Sequence, residues 1–426
     1  MDTKKLDWFL FCLAAAVLGA VFLSALRFSP NPRKASPDTV LVFAQWWQDE
    51  LEEDALESLV REYEALNPGI TIRLAHRTYD GMAGALFNRE DDAPLPDVLG
   101  LDPHWLYELI RMDVLEPLRP YKNGEGERER AFLFPDEGQE EYEDWALPLI
   151  SFMSPLFYNS ALLDAAGFDR PPKTREDFLA YARALTDPQA PSYGMALALS
   201  PETPQGLYRD VFSWIWAAGV DFTPETALDF TDPAVVDVLD FLNRLYREGL
   251  VSPSPFTKTA DEKRREFTEG RTAMMIGSIP EIDRIMEENP ALNFGISTIP
   301  SSDKYLDRPV FGLTGWYAGI SRESPHKDEA WAFLSFLSGR RSFLASMAHA
   351  VPGNQDDTAG TADENSLYAK AYDIYTAGAA ADRFAGLPKT RELETILREE
   401  LMAMFEGKNS PRETARLIQQ RREGLF

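Results

Sequence analysis

The sequence is poor in the residues that most catalytic and metal sites use. Its 426 residues include one cysteine, Cys12, which lies inside an apolar N-terminal segment. The rest of the chain therefore offers no thiol for nucleophilic catalysis, a disulfide or a cysteine-ligated zinc ion. The four histidines lack metal-site spacing, and no G-x-S-x-G, Walker A or G-x-G-x-x-G motif is present. We predict no metal, no cofactor and no enzymatic activity.

Positive charge is also scarce. The chain has 69 acidic and 43 basic residues, for a formal net charge of −26. Such a surface repels phosphate backbones, and no basic cluster offsets it, so nucleic acid is excluded as a partner and a polyanionic ligand is disfavoured. An apolar content of 44% and an aromatic content of 12% are typical of a packed globular protein.

The N-terminus contains the one long uncharged run, residues 8–26, which follows Lys4 and Lys5. Its length is close to the ~20 residues that cross a bilayer, and it exceeds the core of a signal peptide, which spans about 7–15 residues. We interpret residues 1–27 as a membrane anchor, with a cleaved signal peptide as the alternative. Residues 28–37 form a short proline-containing tether.

Beyond the tether, β-rich runs alternate with helical patterns, which predicts parallel sheets with right-handed crossovers. The strand-like runs are 39–44, 70–75, 98–101, 272–276, 294–296 and 316–320. The helical patterns are 51–66, 82–88, 103–112, 174–185, 233–248, 325–337 and a final helix after Ser410-Pro411. Thr174 with Asp177 forms a capping box, and Gly249 follows the helix that begins at Pro233.

The stretch from Trp145 to Asn159 has the pattern of a crossing between two lobes. A short strand leads to Pro148, a second apolar strand ends at Asn159, and the next helix is closed by Gly167. A chain of this length exceeds what one hydrophobic core normally supports, so two domains are expected. A ligand cleft usually lies between such lobes.

Several motifs occur together in one order. They are Val42-Phe43-Ala44-Gln45-Trp46-Trp47, Asn67-Pro68-Gly69-Ile70, Pro96-Asp97-Val98, Val114-Leu115-Glu116-Pro117-Leu118, Leu156-Phe157-Tyr158-Asn159, Pro171-Pro172-Lys173-Thr174, Phe267-Thr268-Glu269-Gly270 and Gly315-Trp316-Tyr317-Ala318. From about residue 38 to the end, the chain resembles the family 1 extracellular solute-binding proteins, which are the carbohydrate receptors of bacterial ABC importers. Pro280 stands where the maltose-binding branch has a tryptophan, so maltose specificity is not predicted.

The resemblance implies an α/β, two-lobed periplasmic-binding-protein-like fold of type II. Each lobe is expected to be a mostly parallel sheet flanked by helices, with hinge crossings between the lobes. Lobe 1 comprises residues 38–149 plus 317–350, and lobe 2 comprises residues 150–316 plus 351–426. The implied protein is a monomeric, extracytoplasmic receptor that closes on a neutral carbohydrate and presents it to the membrane permease subunits of an ABC transporter.

Candidate ligand-binding residues lie where predicted strands end and where the chain crosses between lobes. Open parallel sheets bind ligands beyond the carboxyl ends of their strands, and aromatic rings cover the apolar faces of sugars. The first and third strands are followed by Gln45, Trp46, Trp47, Asp102, His104 and Trp105. The crossings and lobe 2 add Phe152, Met153, Trp214, Trp216, Glu281, Trp316, Tyr317 and Arg383.

Structural alternatives compete with these assignments. Trp46 and Trp47 could pack in the core, and Asp102 could simply cap a helix. Trp214 and Trp216 point apart on a helix, so at most one is expected to face the cleft. Other functions also remain open: an anchored sensory or scaffold module of the same fold, a polyol receptor, or an iron site at Tyr368, Tyr372 and Tyr375, whose spacing instead matches one packed helix face.

Overall fold

The computed structural model describes residues 39–49, 51, 54–88, 94–122, 144–203, 206–220, 229–301, 309–352, 366–380 and 389–425. The predicted anchor, the tether and Arg383 lie outside these ranges. Within these ranges, no helix combines the length and the apolar character that a membrane crossing needs.

Strands and helices alternate along the described chain. The strands are β1 (Thr39–Gln45), β2 (Ile70–His76), β3 (Val98–Leu101), β4 (Ala146–Met153), β5 (Leu156–Asn159), β6 (Tyr193–Met195), β7 (Thr272–Ile276), β8 (Phe294–Ser297), β9 (Val310–Phe311), β10 (Leu313–Ile320), β11 (Val351–Pro352) and β12 (Ala379–Ala380). The α-helices are α1 (Ala55–Leu66), α2 (Tyr79–Phe87), α3 (Leu106–Arg111), α4 (Ser160–Ala165), α5 (Arg175–Leu185), α6 (Ser213–Ala217), α7 (Pro233–Arg247), α8 (Ala260–Thr268), α9 (Glu281–Glu288), α10 (Lys327–Ser338), α11 (Arg341–Met347), α12 (Leu367–Ala377), α13 (Thr390–Phe405) and α14 (Pro411–Glu423). Short 3₁₀ turns span Trp47–Asp49 and Pro103–Trp105, and a π-helical turn spans Tyr208–Phe212.

Two sheets organise the molecule, and the predicted two-lobed α/β architecture is confirmed. One has the order β11-β4-β10-β3-β1-β2 and the other β6-β7-β5-β8, while β9 and β12 form a separate pair. Strand directions are more mixed than the strand–helix alternation alone indicates. β1 is parallel to β2 and β3, and β6 is parallel to β7, but β10 is antiparallel to β3 and β4, and β5 to β7 and β8.

The antiparallel strands belong to the segments that pass from one sheet to the other. β4 lies in the first sheet and continues through Ser154-Pro155 into β5 of the second. β10 lies beside β4, with an irregularity in register between Trp316 and Tyr317. β4 and β10 therefore lie side by side in the first sheet, and β4 leads into the passage to the second sheet within the stretch Trp145 to Asn159.

Local capping chemistry explains several helix boundaries. The Thr174 side chain accepts a hydrogen bond from Asp177 N, 3.0 Å away, and the α7 helix is followed by Gly249 with φ of 73°. Two predicted helix starts are wrong. α1 begins at Ala55, four residues after the predicted start at residue 51, because Asp54 adopts a left-handed conformation (φ 62°). α2 begins at Tyr79, three residues before the predicted start at residue 82, because Thr78 caps it.

Each sheet has its own hydrophobic core. Phe43, Leu99 and Phe333 are fully buried in the core of the first sheet. Phe178 and Trp214 are fully buried in the core of the second. Separate cores allow two lobes to move as units.

A buried ion pair ties the π-helical turn to α8. Lys263 Nζ lies 2.5 Å from Asp210 Oδ1 and donates a second hydrogen bond to the Ile276 carbonyl oxygen at 2.7 Å. Both side chains are buried. Two charges in the interior are tolerated here because each satisfies the other.

Lys263→Met should lower the free energy of unfolding by about 3–5 kcal/mol, because it leaves the Asp210 carboxylate buried without its counter-ion. Urea denaturation followed by circular dichroism measures the change. The matched control is Arg416→Met, which breaks the exposed pair with Glu413 and should cost much less. Equal losses in the two variants would contradict a structural role for the buried pair.

Candidate functional site

A cavity of about 390 Å³ lies between the two sheets. The first sheet contributes its wall from the residues that follow β1 and β3 and from the facing segments of β4 and β10. The second contributes residues that begin α8 and α9, together with the π-helical turn. The lining residues are Trp46, Tyr79, Asp102, Phe152, Glu202, Thr203, Arg209, Thr259, Ala260, Asp261, Ser278, Pro280, Glu281, Arg284, Thr314, Gly315 and Trp316.

The wall of the first sheet is aromatic. Trp46 lies 5.1 Å from Trp105 and 5.4 Å from Tyr79, centroid to centroid. Trp316 packs edge-on against Phe152 at 5.3 Å. These contacts hold the rings at fixed angles, as a platform for an apolar ligand face requires.

Trp47 supports this wall from behind. It is fully buried and stacks on Trp316, with centroids 4.8 Å apart and an interplanar angle of 5°. Gln45 stabilises the turn between β1 and Trp47. Its side-chain oxygen accepts a hydrogen bond from Trp47 N, and its side-chain amide nitrogen lies 2.8 Å from His76 Nδ1. A Cβ at Gly100 would lie 2.8 Å from Gln45 Cβ and 3.1 Å from the Trp47 ring, so a side chain at this position would displace the turn that carries Trp47.

Asp102 is the centre of a hydrogen-bonded network at the edge of the aromatic wall. Its carboxylate accepts from Tyr79 Oη at 2.9 Å and from His104 N at 2.8 Å, and lies 2.7 Å from His104 Nδ1. Burial raises the pKa of Asp102, but the charge and hydrogen bonds of His104 and Tyr79 outweigh it and lower the pKa below its ordinary value. The expected capping role is present too, because the bonded His104 N belongs to the Pro103–Trp105 turn.

The His104 ring packs against the second lobe and does not line the cavity. Its ring stacks on Tyr208, with centroids 4.7 Å apart and an interplanar angle of 14°. Its carbonyl oxygen accepts a hydrogen bond from the Thr390 hydroxyl at 3.3 Å, at the start of α13. A predicted ligand contact is thus, in the structure, a contact between the elements of the two sheets.

The wall of the second sheet is polar and charged. Arg264 stands behind it and pairs with Asp261 at 2.6 Å, Glu281 at 3.3 Å and Glu288 at 2.9 Å. Burial would lower the pKa of Arg264, but these three carboxylates raise it, so the guanidinium stays charged. Two cavity carboxylates are therefore held in place as hydrogen-bond acceptors.

Among the predicted site residues that the structure describes, five line the cavity: Trp46, Asp102, Phe152, Glu281 and Trp316. Seven others are buried outside the cavity lining: Gln45, Trp47, Trp105, Met153, Trp214, Trp216 and Tyr317. Trp214 and Trp216 both pack in the core of the second sheet.

Sequence reasoning missed most of the polar wall. Glu202, Thr203, Arg209, Thr259, Asp261 and Arg284 come from loops and helix starts of the second lobe. One signal was available: Thr259 and Glu262 form a complete capping box, which marks the start of a helix. Helix N-termini commonly bind ligands. The remaining residues have no pattern that distinguishes them from other polar surface positions.

Asp102→Asn should lower the free energy of unfolding by about 1–3 kcal/mol at pH 7. The folded-state pKa of Asp102 lies below its ordinary value of 3.8, so the carboxylate stabilises the fold fully above that value. This contribution is lost as the pH falls through the folded-state pKa. Urea titrations at pH 7 and pH 3 should therefore show the variant's deficit shrinking in acid. Exposed Asp373→Asn is the control, and a deficit that grows in acid would refute the assignment.

Known proteins resemble the chain in sequence and in fold. The sequence model of the family described as bacterial extracellular solute-binding protein matches residues 48–341. A protein of Brucella abortus that is named simply as a binding protein is 24% identical over 369 residues, which cover 83% of this chain and 85% of that protein.

Solved structures share the fold. The sugar-binding protein MalE from Xanthomonas citri is 20% identical with a TM-score of 0.72, over 90% of this chain and 96% of that chain. A solute-binding protein from Thermotoga lettingae, bound with α-D-tagatose, is 21% identical with a TM-score of 0.70, over 91% and 98%. With its two sheets, its interposed cavity and a sequence match across most of its length, this chain belongs to the family of bacterial extracellular solute-binding proteins.

Proposed function

We propose that this protein is the extracytoplasmic receptor of an ABC importer, and that it captures an uncharged carbohydrate between its lobes. The observation that carries the proposal is the pairing of Trp46 and Trp316 on one cavity wall with polar side chains on the other. The names of its structural relatives support it, since one is a sugar-binding protein and another is bound with tagatose.

A sugar has the surface that these walls complement. Its ring presents apolar C–H groups on its faces and hydroxyl groups at its edges. Aromatic rings cover the faces, while carboxylates and hydroxyls accept or donate at the edges. Asp261 and Glu281, both held by Arg264, supply acceptors, and Thr259 and Ser278 supply hydroxyls.

Closure of the lobes completes the site. The predicted division is 38–149 plus 317–350 for lobe 1 and 150–316 plus 351–426 for lobe 2. Because β4, β10 and β11 all belong to the first sheet, we assign residues 150–153, 313–316 and 351–352 to lobe 1 as well. The ligand touches both walls only when the lobes approach, so its affinity is higher for the closed form and drives closure. The Ser154-Pro155 link between β4 and β5 is one place where the backbone passes between the lobes.

Binding without turnover fits the arrangement of carboxylates. Glycoside hydrolysis needs one protonated and one ionised carboxyl group on either side of the scissile bond. Asp261 and Glu281 instead share one guanidinium, and Asp102 is held ionised by His104 and Tyr79. The closed form is then presented to the permease, and the ligand leaves unchanged.

Trp46→Ala and Trp316→Ala should each weaken binding of an uncharged sugar by roughly tenfold or more, because each removes an aromatic surface that covers a sugar face. Isothermal titration calorimetry of the full-length protein against a panel of mono- to trisaccharides measures the change. Trp331→Ala on α10, half-buried outside the cavity, is the matched control. Unchanged affinity in both cavity variants would refute the aromatic platform.

The partner is tested on native membranes. Affinity purification of the tagged full-length protein, with its sugar present, should recover the membrane subunits of an ABC importer. Recovery of a membrane-bound signalling receptor in their place would contradict import and favour a sensory role.

A further inference from the structure

Arg209 differs from the other charged residues near the cavity. It lines the cavity from the π-helical turn Tyr208–Phe212 and is half-buried. Its Nε atom is buried, yet it makes no hydrogen bond within the described parts of the chain. By contrast, Arg264 on the same side pairs with three carboxylates.

The turn that carries Arg209 is fixed on both sides. Tyr208 stacks on His104 across the lobes, and Asp210 forms the buried ion pair with Lys263. The other carboxylate oxygen of Asp210 accepts a hydrogen bond from Ala198 N at 2.5 Å. Insertions of this π-helical type are frequently found at functional sites. Because both of its neighbours are held by other elements, the backbone at Arg209 is fixed, and its side chain lines the cavity.

A buried guanidinium donor without an acceptor is costly unless a ligand supplies the acceptor. We propose that Arg209 determines ligand selection, by donating through its planar fork to two neighbouring oxygen atoms of an uncharged sugar. The fork geometry suits a pair of adjacent oxygens better than a lysine ammonium would. This inference rests on the proposed function and names the residue and the ligand chemistry that the function leaves open.

The surrounding charge selects against an anionic sugar. The cavity lining contains four carboxylates (Asp102, Glu202, Asp261 and Glu281) against two guanidinium groups, those of Arg209 and Arg284, and Arg264 behind the wall pairs with Asp261 and Glu281. The carboxylates still outnumber the guanidinium groups, so the surrounding charge opposes binding of a uronate carboxylate near Arg209. Neutral hydroxyl and ring oxygens use the same donors without that penalty.

The test is calorimetric titration of full-length wild type, Arg209→Gln and Arg209→Lys. The probes are D-glucose, D-galactose, D-tagatose, maltose and maltotriose, together with D-glucuronate and D-galacturonate. For the tightest neutral probe, Arg209→Gln should weaken binding by roughly 10- to 100-fold and Arg209→Lys by less. The control is Arg265→Gln, an exposed position on α8 outside the cavity lining, which should bind as wild type does.

Two results would overturn the inference: a uronate that binds wild type more tightly than its neutral counterpart, or unchanged affinity in Arg209→Gln. A lowered melting temperature in that variant with unchanged affinity would mark Arg209 as a structural residue. In each case, the proposed function stands if wild type binds a neutral sugar and the Trp316→Ala substitution weakens that binding. Failure of wild type to bind any neutral sugar in the panel would count against the proposed function itself, and the inference would fall with it.

Discussion

The stack of Trp47 on Trp316 is the contact on which the binding wall depends. The two rings are nearly parallel at 4.8 Å, and Trp47 is fully buried between the end of β1 and the strand β10. Gln45 fixes the backbone of Trp47, and Gly100 leaves room for its ring. Trp316 therefore cannot turn away from the cavity without opening the core behind it.

The opposite wall depends on charge in place of ring packing. Adjacent residues of α8 serve different partners: Lys263 neutralises the buried Asp210, and Arg264 holds Asp261 and Glu281 at the cavity surface. One lobe thus presents a rigid apolar plate and the other a set of oriented polar groups. This division corresponds to the two kinds of surface on a sugar ring.

The contact between His104 and Tyr208 relates ligand binding to the arrangement of the lobes. Asp102 lines the cavity and is bonded to His104, whose ring stacks on Tyr208 from the other side. The neighbouring residue, Arg209, also lines the cavity. The cavity lining and the stack that joins the lobes therefore share the same few neighbouring residues.

The order of strands and helices, the acidic surface and the family were all readable from the chain, because capping residues, stop glycines and apolar periodicity act over a few neighbours. Thr174, Gly249 and the strand Thr272–Ile276 were placed correctly for that reason. Trp46 was identified as a candidate because it follows the first strand, and Trp316 because the family resemblance implies ligand contacts at the second crossing. Which of two adjacent tryptophans faces the cavity depended on a 3₁₀ turn and on packing against β10, which is remote in sequence. Arg209 reached the site through a π-helical turn held by Lys263 and His104, contacts between distant segments that no local pattern encodes.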